Sequence, residues 1–382
     1  MILDELRPTL RAFLTNHGFP ESEAREEHSE IEAARAYQRA LFDAALAGLT
    51  WPTVYGGQDL PTDADLIFEE EAQHFELPTS PLTLALKVCG PAVLQFGTPA
   101  QKEHHLAATL RGERLWCQLW SEPEAGSDLA NVRTHATATG DGSWIVNGHK
   151  IWTSHAHDAD YALLLCRTDP AAPKHRGLST FIIDMRLPGM TVRPLKQMTA
   201  QSEFNEVFLD NVTIPAGSLL GEPGQGWPIT TWMMGRERIS VGLGMRNAQT
   251  LSWSDVRAIA REAHRDSDPT VRQRLAELYV QEHAAQLLGM RLRQEAQRGQ
   301  GTPLLGSAVK IVEAALIQNT AELALQLLAD RATAWDPASS GGNRVADALL
   351  MSPAFAIGGG TDDIQLNTLG EHFLGLPRDP RN

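Results

Sequence analysis

The spacing of apolar residues changes character twice along this 382-residue chain, and each change limits the fold. Up to about Arg114 apolar residues recur three and four positions apart, as in LFDAALAGL and ADLIFEEEAQHF, with one break at the loop WPTVYGGQDLP. That is the period of helices burying one face. From Trp116 to about Pro215 the runs are short and alternating, as in VRTHATATGDGSWIVNGHK, YALLLCRT, STFIIDM and EVFLDNVTI, with Gly, Asp, Asn and Pro between them. These read as antiparallel strands. From Gly224 onward long helical patterns return, in ITTWMMGRERISVGLGM, DPTVRQRLAELYVQEHAAQLLGMRL and GSAVKIVEAALIQNTAELALQLLADRA. The turn residues of DPASSGGNR interrupt them before ADALLMSPAFAI and a last helix from Asp362. The expected fold is therefore α+β and multidomain. An N-terminal helical domain spans 1–114, a middle antiparallel β domain 115–215, and a C-terminal domain of four-helix-bundle type 216–382.

Composition narrows the classes of partner. A net charge of −14 disfavours nucleic acid or an anionic membrane, each of which needs a basic surface. The start, MILDELRPTLRAFL, has early acids and no basic segment ahead of a long apolar run, so no signal peptide is expected. No run reaches membrane-spanning length. Cys89, Cys117 and Cys166 show no paired spacing, which fits core residues in a reducing cytoplasm. His155, His157 and Asp158 are metal-binding types without a distant partner and read as turn residues, so no metal is expected. His104 and His105, and the acidic run Glu69 to Glu71, read as solvated helix positions.

Two segments carry the chemistry. In WCQLWSEPEAGSDL the small residues Ala125, Gly126 and Ser127 let backbone N–H groups approach a ring carbonyl or a pyrophosphate, and Ser121 and Ser127 add hydroxyls. Taken alone, AGSD reads better as a plain turn. In VNGHKIWTSHAHDADY the aromatic Trp152 can pack on a flat ring and Ser154 can reach its edge, while the Thr153 side chain points the other way along the strand. A lone strand tryptophan is otherwise usually a core residue.

With the ending IGGGTDDIQLNTLGEHFLGLPR, these segments resemble the acyl-CoA dehydrogenase family, in order and over a chain of matching length. The resemblance implies that FAD is the cofactor and that the reaction is α,β-desaturation of an acyl-CoA thioester in fatty acid or lipid catabolism. It sets Gln118, Leu119, Ser121, Gly126 and Ser127, with Trp152, Thr153 and Ser154, against the flavin. Thr361 and Asp363 join the cofactor contacts, and Ser127, Arg238, Gly359 and Gly360 lie near the substrate. It also implies an electron-transfer flavoprotein or similar acceptor for the electrons.

The chain departs from the family pattern in two places. Many members carry the catalytic base as a glutamate just before the Gly-Thr of the last motif, where this chain has Gly359. Other members place it on a helix just before an arginine, and MMGRERISVG offers Glu237 and Arg238. On a helix Glu237 would neighbour Met233, Met234, Ser240 and Val241, a mostly apolar surface that desolvates a carboxylate and raises its pKa. A solvated glutamate between Arg236 and Arg238 is the alternative. Gly359 and Gly360 would let an amide approach the thioester oxygen, with Thr361 as cap and Asp362 and Asp363 favouring the helix dipole.

The second departure concerns assembly. The arginine-phenylalanine and glutamine-glycine-glycine elements with which homotetrameric members hold a partner's adenosine are absent, and Arg261, Gln273 and Gly341-Gly342 substitute weakly. IQLN stands where many relatives have IQRN. GRERISVG, KHRGLSTFIIDM and GGGT are similar instead to actinobacterial members that work as heterotetramers of unlike subunits on steroid or other bulky thioesters. The expectation is a homo-oligomer or a heterotetramer with a second acyl-CoA dehydrogenase-like subunit. The alternatives are a noncatalytic or half-site partner subunit, or a related flavin oxidase or monooxygenase. Lys174, His175 and Arg176 form the clearest basic cluster, read first as a solvated loop and otherwise as a contact for CoA phosphates or a partner.

Overall fold

The computed structural model describes residues 3–17, 27–72, 75, 77–242, 250–297, 303–333 and 340–378. Its contacts divide the chain into two compact units, Met1–Lys196 with Ser202–Met233, and Gln197–Gln201 with Met234–Asn382.

The first unit begins with helices α1 (Leu3–His17), α2 (Glu27–Asp43), α3 (Asp63–Ala72), α4 (Gly90–Phe96) and α5 (Pro99–Leu110). A π-helical turn over Leu84–Cys89 leads into α4. Helix α5 starts on a capping box, in which Thr98 and Gln101 satisfy each other's backbone N–H groups, with Pro99 at the first helical position. Leu6, Leu10, Tyr37, Leu41 and Leu49 form the core of this helical layer.

Two expectations of solvated positions change here. Glu71 is buried, with Arg7 and Arg11 both on its carboxylate, which docks α1 on α3. His105 is buried too, taking a hydrogen bond at Nδ1 from Arg114 at 2.7 Å, while His104 stays exposed. Desolvation, helped by the Arg114 charge, pulls His105 down to about 3, so it is neutral at pH 7. Three-and-four spacing on a helix names faces but not which face meets another helix.

Strands β1 (Trp116–Leu119), β2 (His135–Ala138), β3 (Trp144–Ser154), β4 (Tyr161–Arg167), β5 (Leu178–Asp184), β6 (Met190–Pro194), β7 (Phe204–Ile214) and β8 (Leu219–Leu220) form one sheet. Its order is β6-β7-β3-β2-β4-β5-β8, with β1 on β4. Pairing is mainly antiparallel, but β1 runs parallel to β4. The central β4 and β5 are buried along almost their whole length, which is why YALLLCRT reads as an unbroken apolar run. Cys117 and Cys166 lie in this core, and Cys89 is buried in the helical layer.

Helix α6 (Gly226–Gly242) begins in the first unit and ends in the second. The second unit continues with α7 (Trp253–Glu262), α8 (Pro269–Gln297), α9 (Pro303–Leu328), the short α10 (Asp330–Thr333), α11 (Ser340–Ile357) and α12 (Asp362–His372). Val256, Leu275, Leu278, Leu316, Leu323, Ala324, Leu327 and Val345 are its core. Gly341 and Gly342, expected in a turn, lie in the first turn of α11. Arg344, one residue beyond Asn343, pairs with Asp255, which belongs to the capping box of α7.

Among the described residues no helix is long and apolar enough to cross a membrane.

Candidate active site

Alternation along β1 sets the first wall of the site. Cys117 and Leu119 point into the sheet core. Trp116, Gln118 and Trp120 therefore face the other way, and Trp116 Nε1 donates to Thr109 Oγ1 of α5 at 3.0 Å. Leu119, fully buried in the core, leaves only its backbone for a ligand. Beyond β1, Glu122 and Ala125 exchange backbone hydrogen bonds of 3.1 and 3.0 Å, closing a tight turn that leaves Gly126, Ser127 and Asp128 exposed. A side chain on Gly126 would meet nothing within 4 Å, so a ligand has open access to its backbone.

The second wall is a break in a ladder. Strand β3 pairs with β7 as far as Lys150 opposite Val207, with one register shift between Val146 and Gly148; a second shift follows Lys150, and pairing resumes at Thr153 opposite Asn205. In the gap the Ile151 N–H donates to Ser121 O at 3.0 Å, joining the two motifs. Trp152 takes φ +61°, costly for an aromatic residue by about 1–2 kcal/mol, and stands 60% exposed. Its ring meets Phe204 edge to face at 6.1 Å. Thr153 points inward and is buried, and its carbonyl accepts a bond from Asn205 Nδ2 at 3.1 Å. Ser154 is half-buried. His155 and His157 are placed by neighbours on the same sheet. The His155 N–H donates to Glu203 O at 2.9 Å, and His157 Nδ1 lies 2.9 Å from Asn205 Oδ1.

Beneath both walls lies an ion pair that the motif reading missed. Lys150 is fully buried, and its Nζ donates to Trp120 O at 2.9 Å and to Glu122 Oε1 at 2.8 Å. Glu122 also accepts the N–H groups of Arg133 at 2.6 Å and Thr134 at 2.9 Å. Burial pushes Glu122 up, but Lys150 and these donors outweigh it and hold the carboxyl below the usual range. A signal was available in the alternation of β3, which puts Lys150 on the buried face with Val146.

In the second unit the glycine-rich ending makes a turn between α11 and α12. Gly359 and Gly360 have φ of +67° and +88°. Thr361 caps α12 by accepting the Ile364 N–H at 3.2 Å, as expected from the sequence. Asp363 is exposed in the first helical turn. The fully buried Gln365 donates from Nε2 to Gly359 O at 2.8 Å. Lys310 of α9, also missed, donates to Ala356 O at 3.1 Å and to Asp362 Oδ1 at 2.6 Å. Glu237 is half-buried on α6, one turn beyond the buried Met233. The side chains of Arg238, Ser240 and Val241 lie outside the described residues.

Family models for the N-terminal, middle and C-terminal domains of acyl-CoA dehydrogenases match residues 3–113, 117–212 and 224–374. Acyl-CoA dehydrogenase IpdE1 of Mycolicibacterium smegmatis is 32% identical over 362 residues, covering 92% of this chain and 91% of that protein. This chain belongs to the acyl-CoA dehydrogenase family. Acyl-CoA dehydrogenase FadE34 of Mycobacterium tuberculosis is 36% identical over 345 residues, 89% of this chain, which spans about half (46%) of that protein. Among solved structures, the Tcur3481-Tcur3483 steroid ACAD superposes with a TM-score of 0.82 at 28% identity, over 99% of this chain and 98% of that one.

Acyl-CoA dehydrogenases are FAD flavoproteins, oxidoreductases acting on the CH–CH bond of an acyl-CoA, and this chain is one of them. Its residues fit the cofactor. Gln118 Nε2 and Trp120 Nε1 are buried along the first wall with no partner among the described residues. A buried donor left so costs about 1–3 kcal/mol, and a heteroaromatic ring rich in acceptors would relieve it. Trp120 is the residue here that reading the motif for hydroxyls and glycines passed over. At the rim, Lys174 pairs with Asp128 of the turn at 2.5 Å and the His175 ring lies 4.7 Å from Trp227, while Arg176 is exposed.

Proposed function

We propose that the chain catalyses α,β-desaturation of a bulky acyl-CoA thioester, with Glu237 as base. Removing an α-proton needs a carboxylate of raised basicity in poorly hydrated surroundings, and a half-buried glutamate one turn from the buried Met233 suits that. Bound FAD supplies the acceptor for the β-hydride. Gln118, Ser121, Gly126, Ser127, Trp152, Thr153 and Ser154 hold it, and the family resemblance adds Thr361 and Asp363. The N–H groups of the Gly359–Gly360 turn stabilise negative charge on the thioester oxygen, with Ser127 and Arg238 beside the substrate. Glycine at 359 also frees the volume that a glutamate there would fill.

The observation that carries this reading is the exposed Trp152 held at φ +61° between two joined walls. A chain kept only for assembly has no use for a costly conformation that displays an aromatic ring.

We further propose an electron-transfer flavoprotein as the electron acceptor. A second, unlike acyl-CoA dehydrogenase subunit completes the adenosine end of the site. The two-name steroid ACAD supports that assembly and a polycyclic acyl group. So does the placement of Arg261 and Gln273, both exposed on the bundle and neither in the family's adenosine-binding motif.

The test is the visible spectrum of the purified chain before and after anaerobic addition of acyl-CoA thioesters, for the wild type and Glu237→Gln. The expected result is a flavin spectrum in both and bleaching in the wild type, slowed at least about 10²-fold in the variant. Equal bleaching in the two would remove Glu237 as base. A colourless protein that gains flavin only with a second subunit would favour the half-site reading. Oxygen consumption matching bleaching would favour an oxidase.

A further inference from the structure

We propose that the buried Glu122–Lys150 pair is a positioning clamp that holds Trp152 in its displayed conformation and so sets the affinity for FAD. This rests on the flavin-wall reading above. Three consecutive features of β3 support it. Lys150 is the last residue paired with β7 before the register shift that ends at Thr153, and its side chain reaches Trp120 O and Glu122. The next N–H, of Ile151, donates to Ser121 O. The next residue, Trp152, takes the left-handed backbone.

A strand has no intrinsic reason to set an extra residue against its neighbour and put an aromatic residue at positive φ. Something must hold the strand out of register, and the pair spans the right two segments. It grips the carbonyl of Trp120 and the carboxylate of Glu122, one residue either side of Ser121. Through Glu122 it also grips the Arg133 and Thr134 N–H groups, so three chain segments meet at one carboxylate and one ammonium. A surface pair would not do this, because exchange with water would let each end drift. Here Lys150 is 0% and Glu122 6% exposed, so each charge is answered by the other and by backbone groups and not by water.

Neither residue needs to touch the cofactor, so each is a positioning residue. Without the clamp β3 can resume its pairing with β7. Trp152 then relaxes toward ordinary strand geometry, and the wall must be rebuilt each time FAD binds. That raises the dissociation constant through lost preorganisation and removes no contact.

The test uses the full chain carrying Lys150→Met with Glu122→Gln. This double variant removes both charges together and leaves no unpaired buried charge. FAD affinity is measured by titrating the apoprotein and following flavin fluorescence. The Trp152 environment is followed by ¹⁹F NMR of fluorotryptophan-labelled protein, the signal being assigned by its loss in Trp152→Phe. The expected result is thermal stability above that of either single variant, a shifted Trp152 signal, and an FAD dissociation constant raised at least about tenfold. Wild-type affinity in the double variant, or an unmoved Trp152 signal, would overturn the clamp. Trp152→Ala separates this failure from that of the underlying reading. If that substitution weakens FAD binding while the double variant does not, only the clamp falls. If it leaves FAD affinity unchanged, the flavin wall falls and the clamp with it.

Discussion

The flavin wall of the first unit and the glycine turn of the second solve the same problem differently. Each sets backbone at positive φ, and each is braced by a buried lysine that bonds one carbonyl and one carboxylate, Lys150 with Trp120 O and Glu122, Lys310 with Ala356 O and Asp362. In the wall the residue at positive φ is a tryptophan, and both charged partners are buried. In the turn the residues are glycines, and Asp362 remains 35% exposed. Where a side chain must be displayed, the strain has to be held from outside by a desolvated pair. Where only backbone is wanted, glycine adopts the conformation without that strain and a looser pair is enough.

Breaking one lysine in each region tests this most strongly. Lys150→Met strands a buried carboxylate and is expected to cost about 3–5 kcal/mol. Lys310→Met leaves Asp362 partly in water and is expected to cost less, about 1–2 kcal/mol. Denaturant midpoints of the two variants against the parent measure the gap, and equal losses would break the comparison. The same contrast has a pH signature. Because the folded Glu122 carboxyl sits below its unfolded value, its contribution is full above about pH 4.3 and fades as pH falls through the folded pKa. Glu122→Gln should therefore flatten part of the acid limb of stability.

Within the turn, alanine separates conformation from space. At Gly359 a Cβ meets nothing within 4 Å, so Gly359→Ala carries only the left-handed cost of about 1–2 kcal/mol. At Gly360 the Cβ would lie 2.7 Å from Gln365 Nε2, so Gly360→Ala must also displace the side chain that holds Gly359 O. The expected order in thermal unfolding is Gly360→Ala below Gly359→Ala, and the reverse would show that Gln365 is not a brace. The smallest effect belongs to Lys174→Met. Its partner Asp128 is 60% exposed, and the loss should stay within about 0–1 kcal/mol in the same measurement, for an ion pair about as short as those of Lys150 and Lys310.

Much of the fold was legible in the periodicity. The change from three-and-four spacing to alternation near Trp116, and back near Gly224, marks where helices give way to the sheet and return. Thr361 was legible as a cap because capping is a local exchange between a side chain and an N–H three residues on. His105 and Glu71 were misread because their burial depends on Arg114, Arg7 and Arg11 arriving from other elements. Lys150 was legible in principle, as a charge on the buried face of β3. What it answered to, 28 residues earlier in the chain, was not.

The sequence by itself determined the order of the elements, the two motifs, the absence of a base at position 359 and the presence of Glu237 before an arginine. These follow from residue identity and from spacings shorter than one element. Only the tertiary structure decided that the Ile151 N–H bonds Ser121 O beside a register shift of β3 on β7, that Trp152 stands exposed in a left-handed backbone, and that one buried ion pair ties the two motifs together. Each depends on which groups are stripped of water at once, and burial of that kind is a property of packing between distant segments, which no local pattern encodes.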